Sequence, residues 1–234
     1  MINRAVILAG GLGTRLRPIT YEIPKALIPV HGRPLTEHLI DLLKKHGVTN
    51  VTLAVGHMRD KIRAHFQNGE KLGIALDYIE ETEPVGTGGP LLLGKHLLTE
   101  TFICSNGDEL KKIDIQKMLA LHKKNNALVT IALVRVEDPS QYGVARFEGE
   151  RILEFVEKPA REQAPSNLIS SGFYIMEPDV LKYISPGFCM LEKSVFPKLA
   201  GEGKLFGFVS DGQWFDTGTM ERYEKAIKEW EDIC

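Results

Sequence analysis

The stretch Gly10-Gly11-Leu12-Gly13-Thr14-Arg15-Leu16-Arg17-Pro18, with Pro24-Lys25 a few positions on, gathers residue types suited to holding phosphate. Three glycines let the backbone approach a ligand closely and leave amide N–H groups to point at it. Thr14 adds a hydroxyl, Arg15 a planar fork that matches phosphate oxygens, and Lys25 a mobile point charge. Leu8 and Ala9 lead into the loop from a buried strand, and ligands of open α/β sheets bind outside the carboxyl ends of strands. Two familiar phosphate loops do not fit. No Gly-Lys-[Ser/Thr] follows, which excludes a Walker A loop. A dinucleotide fingerprint would need glycine at Leu16, and Pro18 and Pro24 interrupt the helix it should open.

A second set of candidates is acidic. Asn106-Gly107-Asp108 follows the apolar run 101–104, which puts Asp108 at the carboxyl end of a strand. Asp216 lies in Trp214-Phe215-Asp216-Thr217-Gly218-Thr219, just before the last helix. Magnesium takes a few carboxylates and completes its octahedron with water and substrate phosphates, so the two aspartates suit it if the fold unites them. Taken singly, each reads as a turn or cap residue, and Asp216 could cap the helix that follows. Glu109 reads as a turn residue.

The elements that must position these groups alternate. The run 5–9 is a continuous apolar strand, and Leu35, Leu39, Leu42 and Leu43 share one face of a helix that stops near Gly47. Strands follow at 51–55, 74–79, 102–104 and 127–136, with helices at 59–67 and 115–124. That order predicts an α/β fold with a mostly parallel, doubly wound, Rossmann-like sheet. The second half is less regular, with short strands at 144–147, 152–156 and 172–176 and helical stretches at 179–184 and 220–230. The expectation is a single domain over 1–234, with a regular first half at 1–135 and a second half at 136–234 built onto it.

Composition narrows the classes. The chain has 234 residues, 43% hydrophobic and 26% charged, enough to bury a core without staples. A net charge of −2 offers no general attraction to nucleic acid or an anionic membrane, so local groups must hold any anionic ligand. No apolar run approaches the roughly 18 residues of a membrane span, and the start reads as a strand rather than a leader. Cys104, Cys189 and Cys234 are odd in number and far apart, which predicts neither a disulfide framework nor a zinc site and makes the cytoplasm the default location.

Gly10-Gly11-Leu12-Gly13-Thr14-Arg15-Leu16 with Pro24-Lys25 resembles the signature of the sugar-1-phosphate nucleotidylyltransferases. The resemblance implies the nucleotide-diphospho-sugar transferase type of fold. It implies that Leu8, Ala9, Gly10, Gly11, Gly13, Thr14 and Arg15 wrap a nucleoside triphosphate, with Arg15 and Lys25 catalytic. It makes Asp108 and Asp216 ligands of Mg2+. Tyr142-Gly143-Val144, Glu157-Lys158-Pro159 and Ser170-Ser171-Gly172 match the family's sugar-phosphate pocket, which with Asn106 gives Asn106, Gly143, Glu157, Lys158, Ser170 and Gly172. Ser170 stands where many members carry asparagine, and serine is shorter.

Glu83-Pro84-Val85-Gly86-Thr87-Gly88-Gly89-Pro90-Leu91 resembles the base-side stretch of mannose-1-phosphate guanylyltransferases, and implies contacts from Glu83, Gly86, Thr87 and Gly88. Pro139 to Val144 and Glu192-Lys193-Ser194-Val195-Phe196-Pro197 are similar too. The implied partners are GTP and mannose 1-phosphate or a related manno-configured sugar. Alternatives are dTTP- or UTP-dependent transfer to glucose 1-phosphate or another hexose phosphate, and a non-catalytic nucleotide-sugar-binding regulator. The sequence ends soon after the last helix, so the left-handed β-helix of many relatives is not expected. A homo-oligomer is compatible with the sequence. No nucleic-acid or membrane partner is expected.

Overall fold

The computed structural model describes residues 2–232; Cys234 of the cysteine set lies outside them. In chain order the strands are β1 (Arg4–Leu8), β2 (Pro29–Val30), β3 (Arg33–Pro34), β4 (Asn50–Val55), β5 (Ala75–Glu80), β6 (Phe102–Asn106), β7 (Glu109–Lys111), β8 (Val129–Arg135), β9 (Gly143–Glu148), β10 (Arg151–Glu157), β11 (Leu168–Met176), β12 (Leu205–Val209) and β13 (Trp214–Asp216). The α-helices are α1 (Leu35–Lys45), α2 (Arg59–Phe66), α3 (Gly89–Leu93), α4 (Ile115–Lys124), α5 (Phe196–Gly201) and α6 (Met220–Glu229).

The chain divides into two compact units that interleave in sequence. Unit 1 comprises Met1–Pro84, Ser105–Lys112 and Gly212–Cys234; unit 2 comprises Val85–Cys104 and Ile113–Asp211. β6 therefore starts in unit 2 and ends in unit 1.

In unit 1, β1 pairs with β4 and β4 with β5, all parallel and in continuous register. Parallel neighbours need crossovers, which α1 and α2 supply. Ala5, Val6 and Ile7 are wholly buried, as a strand covered on both faces requires. Helix α1 buries Leu35, Leu39, Ile40, Leu42 and Leu43. Glu37 opens it and Lys44 and Lys45 close it, each favourable against the helix dipole. Gly47, at φ 81°, turns the chain out of it, a conformation that favours glycine.

Unit 2 is mixed rather than parallel. Its order is β11-β8-β12-β10-β9. β8 runs antiparallel to β11 and parallel to β12, while β10 is antiparallel to β9 and β12. Asp114 caps α4, its Oδ1 accepting from Lys117 N at 3.0 Å. The helical stretch expected at 179–184 is a run of tight 3₁₀ turns over Pro178–Tyr183. Proline at its head and only one fully buried side chain, Val180, leave little to stabilise a longer helix.

Candidate active site

Within unit 1 the glycine loop continues β1. Ala9 N donates to Ala54 O at 2.8 Å, and Gly107 N donates to Leu8 O at 3.0 Å. A Cβ at Gly10 would meet the Glu81 carboxylate, so that side chain would have to move aside. Gly13 adopts φ 62°, and its carbonyl accepts both Leu16 N and Thr20 Oγ1 at 2.9 Å. Leu16 is the anchor. It is fully buried in a cluster with Ile28, Val30, Leu35, Leu110, Tyr223, Ala226 and Trp230. Gly11, Leu12, Thr14 and Arg15 are exposed beside that anchor. The loop is thus held at Gly13 and Leu16 and open to solvent at Gly11, Leu12, Thr14 and Arg15.

The two aspartates also fall in unit 1, and short strands relate them. β7 and β13 form an antiparallel ladder in which Asp216 pairs with Glu109 and Trp214 with Lys111. Asp108 immediately precedes that ladder, and Thr217 Oγ1 donates to its carbonyl at 2.7 Å. Asp108 Oδ2 accepts from Lys25 Nζ at 2.6 Å. Burial pushes the Asp108 carboxyl up, but the charge and hydrogen bond of Lys25, joined by Lys111, hold it below the usual carboxylate range. Asp216 accepts from Gly218 N at 2.7 Å and from the Arg222 guanidinium. A Cβ on Gly218 would lie 2.8 Å from Asp216 Oδ1 and 3.0 Å from Arg15 Nη2. Gly218 therefore leaves space for the arginine and the carboxylate side by side.

Two sequence readings need correction. Asp216 does not cap α6; Thr219 does, its hydroxyl accepting from Arg222 N. Glu109 is not a turn residue. It is a buried strand residue whose carboxylate accepts from Asn106 Nδ2 at 2.9 Å and Trp214 Nε1 at 2.8 Å, with Lys111 Nζ at 3.3 Å. Local sequence hid this, since Asp-Glu beside Gly107 looks like a solvated turn. Asn106 is committed to Glu109 within unit 1, whereas the other sugar-side candidates fall in unit 2.

Among the described residues, no cluster of three or more His, Cys, Asp or Glu is arranged to hold a metal. Two carboxylates, one in the turn before β7 and one at the end of β13, nevertheless suit magnesium, which prefers hard oxygen ligands and keeps several sites for water and phosphate. The donor set fits.

Unit 2 gathers Gly143, Glu157, Lys158, Ser170 and Gly172 around β9, β10 and β11. Glu157 pairs with Gly143 across the β9–β10 ladder. A Cβ on Gly143 would overlap the Phe155 ring and lie 3.0 Å from Glu157 Oε2. Lys158 takes φ 50°, and its Nζ stands 3.5 Å from Glu157 Oε1. Ser170 Oγ accepts Gly172 N at 3.2 Å, inside a register shift between β11 and β8. Glu83 is exposed and belongs to unit 1, while Gly86, Thr87 and Gly88 belong to unit 2. There Thr87 Oγ1 donates to Glu192 Oε2 at 2.6 Å. Glu192 is buried and had no role assigned from sequence.

Residues 4–233 match the family described as Nucleotidyl transferase. The chain belongs to this family. Mannose-1-phosphate guanyltransferase beta-B of Xenopus laevis is 42% identical over 221 residues, which cover 92% of this chain and 61% of the relative. Mannose-1-phosphate guanylyltransferase of Mycobacterium tuberculosis is 38% identical over 228 residues, 95% of this chain and 63% of the relative. This nucleotidyl transferase chain thus spans a little over three-fifths of their length. Among solved structures, UDP-glucose pyrophosphorylase complexed with UDP-glucose superposes with a TM-score of 0.86 at 26% identity, covering 97% of this chain and 98% of that one. The fold is accordingly the α/β arrangement of the nucleotide-diphospho-sugar transferases. No described helix is long and apolar enough to cross a membrane.

Proposed function

We propose that this nucleotidyl transferase moves a nucleoside monophosphate from GTP to mannose 1-phosphate or a related manno-configured sugar 1-phosphate. The sugar phosphate oxygen bonds to the α-phosphorus as the α–β phosphoanhydride bond breaks, and pyrophosphate leaves. The observation that carries the reading is the β7–β13 ladder of unit 1, which pairs Asp216 with Glu109, the residue next to Asp108, with Arg15 against Gly218. The guanylyltransferase names of relatives at 42% and 38% identity support the choice of base and sugar.

A sugar 1-phosphate is largely dianionic at neutral pH, its second pKa lying near 6, so no strong general base is needed. Repulsion between two polyanions is the main barrier, and positioning with charge neutralisation lowers it. In this reading Arg15 and the amides at Gly10, Gly11, Gly13 and Thr14, beyond Leu8 and Ala9, hold the triphosphate and receive the departing pyrophosphate. Lys25 neutralises charge beside Asp108. Asp108 and Asp216 would hold Mg2+, which when bound supplies positive charge to the phosphate oxygens. Lys158 steadies the attacking phosphate, Glu157 accepts hydrogen bonds from sugar hydroxyls, and Gly143, Ser170 and Gly172 line the sugar. Gly86, Thr87 and Gly88 face the base. Residues 1–135 then serve chiefly the nucleotide and 136–234 chiefly the sugar phosphate. A reducing, cytoplasmic setting suits the buried cysteines Cys104 and Cys189, which form no disulfide among the described residues.

The reverse reaction tests the proposal. GDP-mannose with pyrophosphate and magnesium should yield GTP and mannose 1-phosphate, resolved by anion-exchange chromatography. GTP formed from no GDP-sugar, alongside efficient pyrophosphorolysis of UDP- or dTDP-glucose, would move the assignment to the other bases. Binding of nucleotide-sugar without any turnover would identify a regulator.

A further inference from the structure

The stretch Glu192-Lys193-Ser194-Val195-Phe196-Pro197 has no task in the proposed reaction, yet its geometry is unusual. Residues Leu191–Val195 form one turn of π-helix, a rare conformation that recurs at functional sites. Phe196 follows it into the core, fully buried with its ring 5.3 Å from that of Phe155 and 5.1 Å from that of Tyr174. This turns Glu192 inward, leaving it 8% exposed. A buried carboxylate is costly unless partnered, and an apolar residue would fill the space without that cost.

The partner is the base-side loop. Thr87 Oγ1 donates to Glu192 at 2.6 Å and accepts Leu191 N at 2.9 Å, so the hydroxyl proton is committed to the carboxylate. Two backbone bonds flank the pair: Gly88 N donates to Cys189 O at 2.8 Å, and Cys189 N to Val85 O at 3.0 Å. Gly86 sits at φ 75°, and a Cβ there would strike the Cys189 carbonyl. A Cβ at Gly88 would lie 3.2 Å from that same oxygen. The shape of residues 85–88 is thus moulded on residues 189–192. Burial raises the Glu192 carboxyl, and the charges of Glu157 and Lys158 also reach it.

We propose that Glu192 is a positioning residue that fixes the loop 85–88 through Thr87 and thereby sets base selectivity. The Thr87 side chain is turned to Glu192, so backbone groups of the loop read the edge of the base. This role rests on the nucleotidyl-transfer reading.

The test compares Glu192→Gln, Glu192→Leu, Thr87→Val and the Glu192→Leu/Thr87→Val double variant, with GTP and UTP against mannose 1-phosphate. Folding is checked by thermal melts. Loss of one hydrogen bond of this kind predicts about a tenfold rise in KM for GTP in Glu192→Leu and Thr87→Val. KM for the sugar phosphate should stay within about twofold, and the preference for GTP over UTP should narrow. The double variant should be no worse than Glu192→Leu alone, the mark of one shared interaction. Glu192→Gln, whose amide oxygen still accepts the Thr87 proton, should restore wild-type behaviour. Unchanged KM for GTP and unchanged base preference in both Glu192→Leu and Thr87→Val would overturn the proposal. So would equal losses with both nucleotides and the sugar phosphate. If Glu192→Leu fails to fold, Thr87→Val carries the test. If the wild type turns over neither nucleotide, the transfer reading fails. Calorimetric binding of GTP and UTP to the same proteins then reads the loop directly, with undiminished discrimination in the variants overturning it.

Discussion

Lys25 Nζ lies 2.6 Å from Asp108 Oδ2, and the lysine side chain is only 10% exposed. A cation from the segment after the glycine loop is therefore seated on one of the two aspartates proposed to hold magnesium. Arg222 is seated in the same manner on the other, Asp216. Both carboxylates are charge-compensated by residues of unit 1 itself.

Removing the lysine should be felt twice. Lys25→Met leaves Asp108 without its nearest cation and should cost about 2 kcal/mol of stability, the scale of a hydrogen bond to a charged group. Urea titration measures that loss. Turnover should fall by about 10² or more, as for loss of a charge that stabilises the transition state. A variant that keeps full turnover would remove Lys25 from the mechanism.

Glu109 should govern metal affinity without touching the metal. Its carboxylate joins Asn106, Trp214 and Lys111 behind the β7–β13 ladder. Glu109 follows Asp108 in the chain and pairs with Asp216 in the ladder, and groups of the outer shell around a metal typically contribute about 10–100-fold in metal affinity. Glu109→Leu should weaken Mn2+ binding on that scale, read by electron paramagnetic resonance without nucleotide, and Glu109→Gln should retain most of it. Equal affinity in Glu109→Leu and wild type would limit Glu109 to packing.

Gly218→Ala makes a steric test of the Arg15 and Asp216 corner. The added methyl would stand 2.8 Å from Asp216 Oδ1 and 3.0 Å from Arg15 Nη2, so one of them must move. Steady-state assays should show kcat lowered by about 10-fold or more, since small misplacements of positioning groups are costly. Stability should change little by comparison, because Arg15 is exposed. A Gly218→Ala enzyme with normal kcat would mean that the proximity has no part in turnover.

His122 gives a pH signature in unit 2. It is buried, with Nδ1 2.8 Å from Thr130 Oγ1 and Nε2 3.1 Å from Glu177 Oε1. Burial lowers its pKa, and the hydrogen bond and charge of Glu177 only partly restore it. Because the native value is depressed, its contribution is complete above the unfolded pKa of about 6.5 and is lost as pH falls through the native value. Urea midpoints at pH 8 and pH 5.5 should therefore differ more for wild type than for His122→Gln. An equal drop in both proteins would exclude His122 as the source.

Much of unit 1 was legible because its signals are local. The run 5–9 gave β1, the leucines of 35–43 gave α1, and the glycine spacing gave the loop, since burial and backbone freedom follow from residue type alone. β7 and β13 were not legible. Each has three residues, and their pairing joins positions about a hundred apart in sequence, which no window of periodicity can detect. The burial of Glu109 depends on that pairing, so its reading as a turn failed for the same reason. The capping hydroxyl of Thr219 was visible in sequence but was passed over for the nearby aspartate. The π turn at Leu191–Val195 carries no local pattern, because the packing of Phe196 and the Thr87 contact create it.

The most direct test of nucleotidyl transfer is pyrophosphate release from GTP by the purified protein, with and without mannose 1-phosphate and magnesium, beside UTP, dTTP, ATP and CTP. Release that requires both substrates and the metal, is greatest with GTP, and falls by about 10² in Arg15→Ala is the predicted result. No release from any pairing of nucleotide and sugar 1-phosphate, by protein shown to be folded, would contradict it.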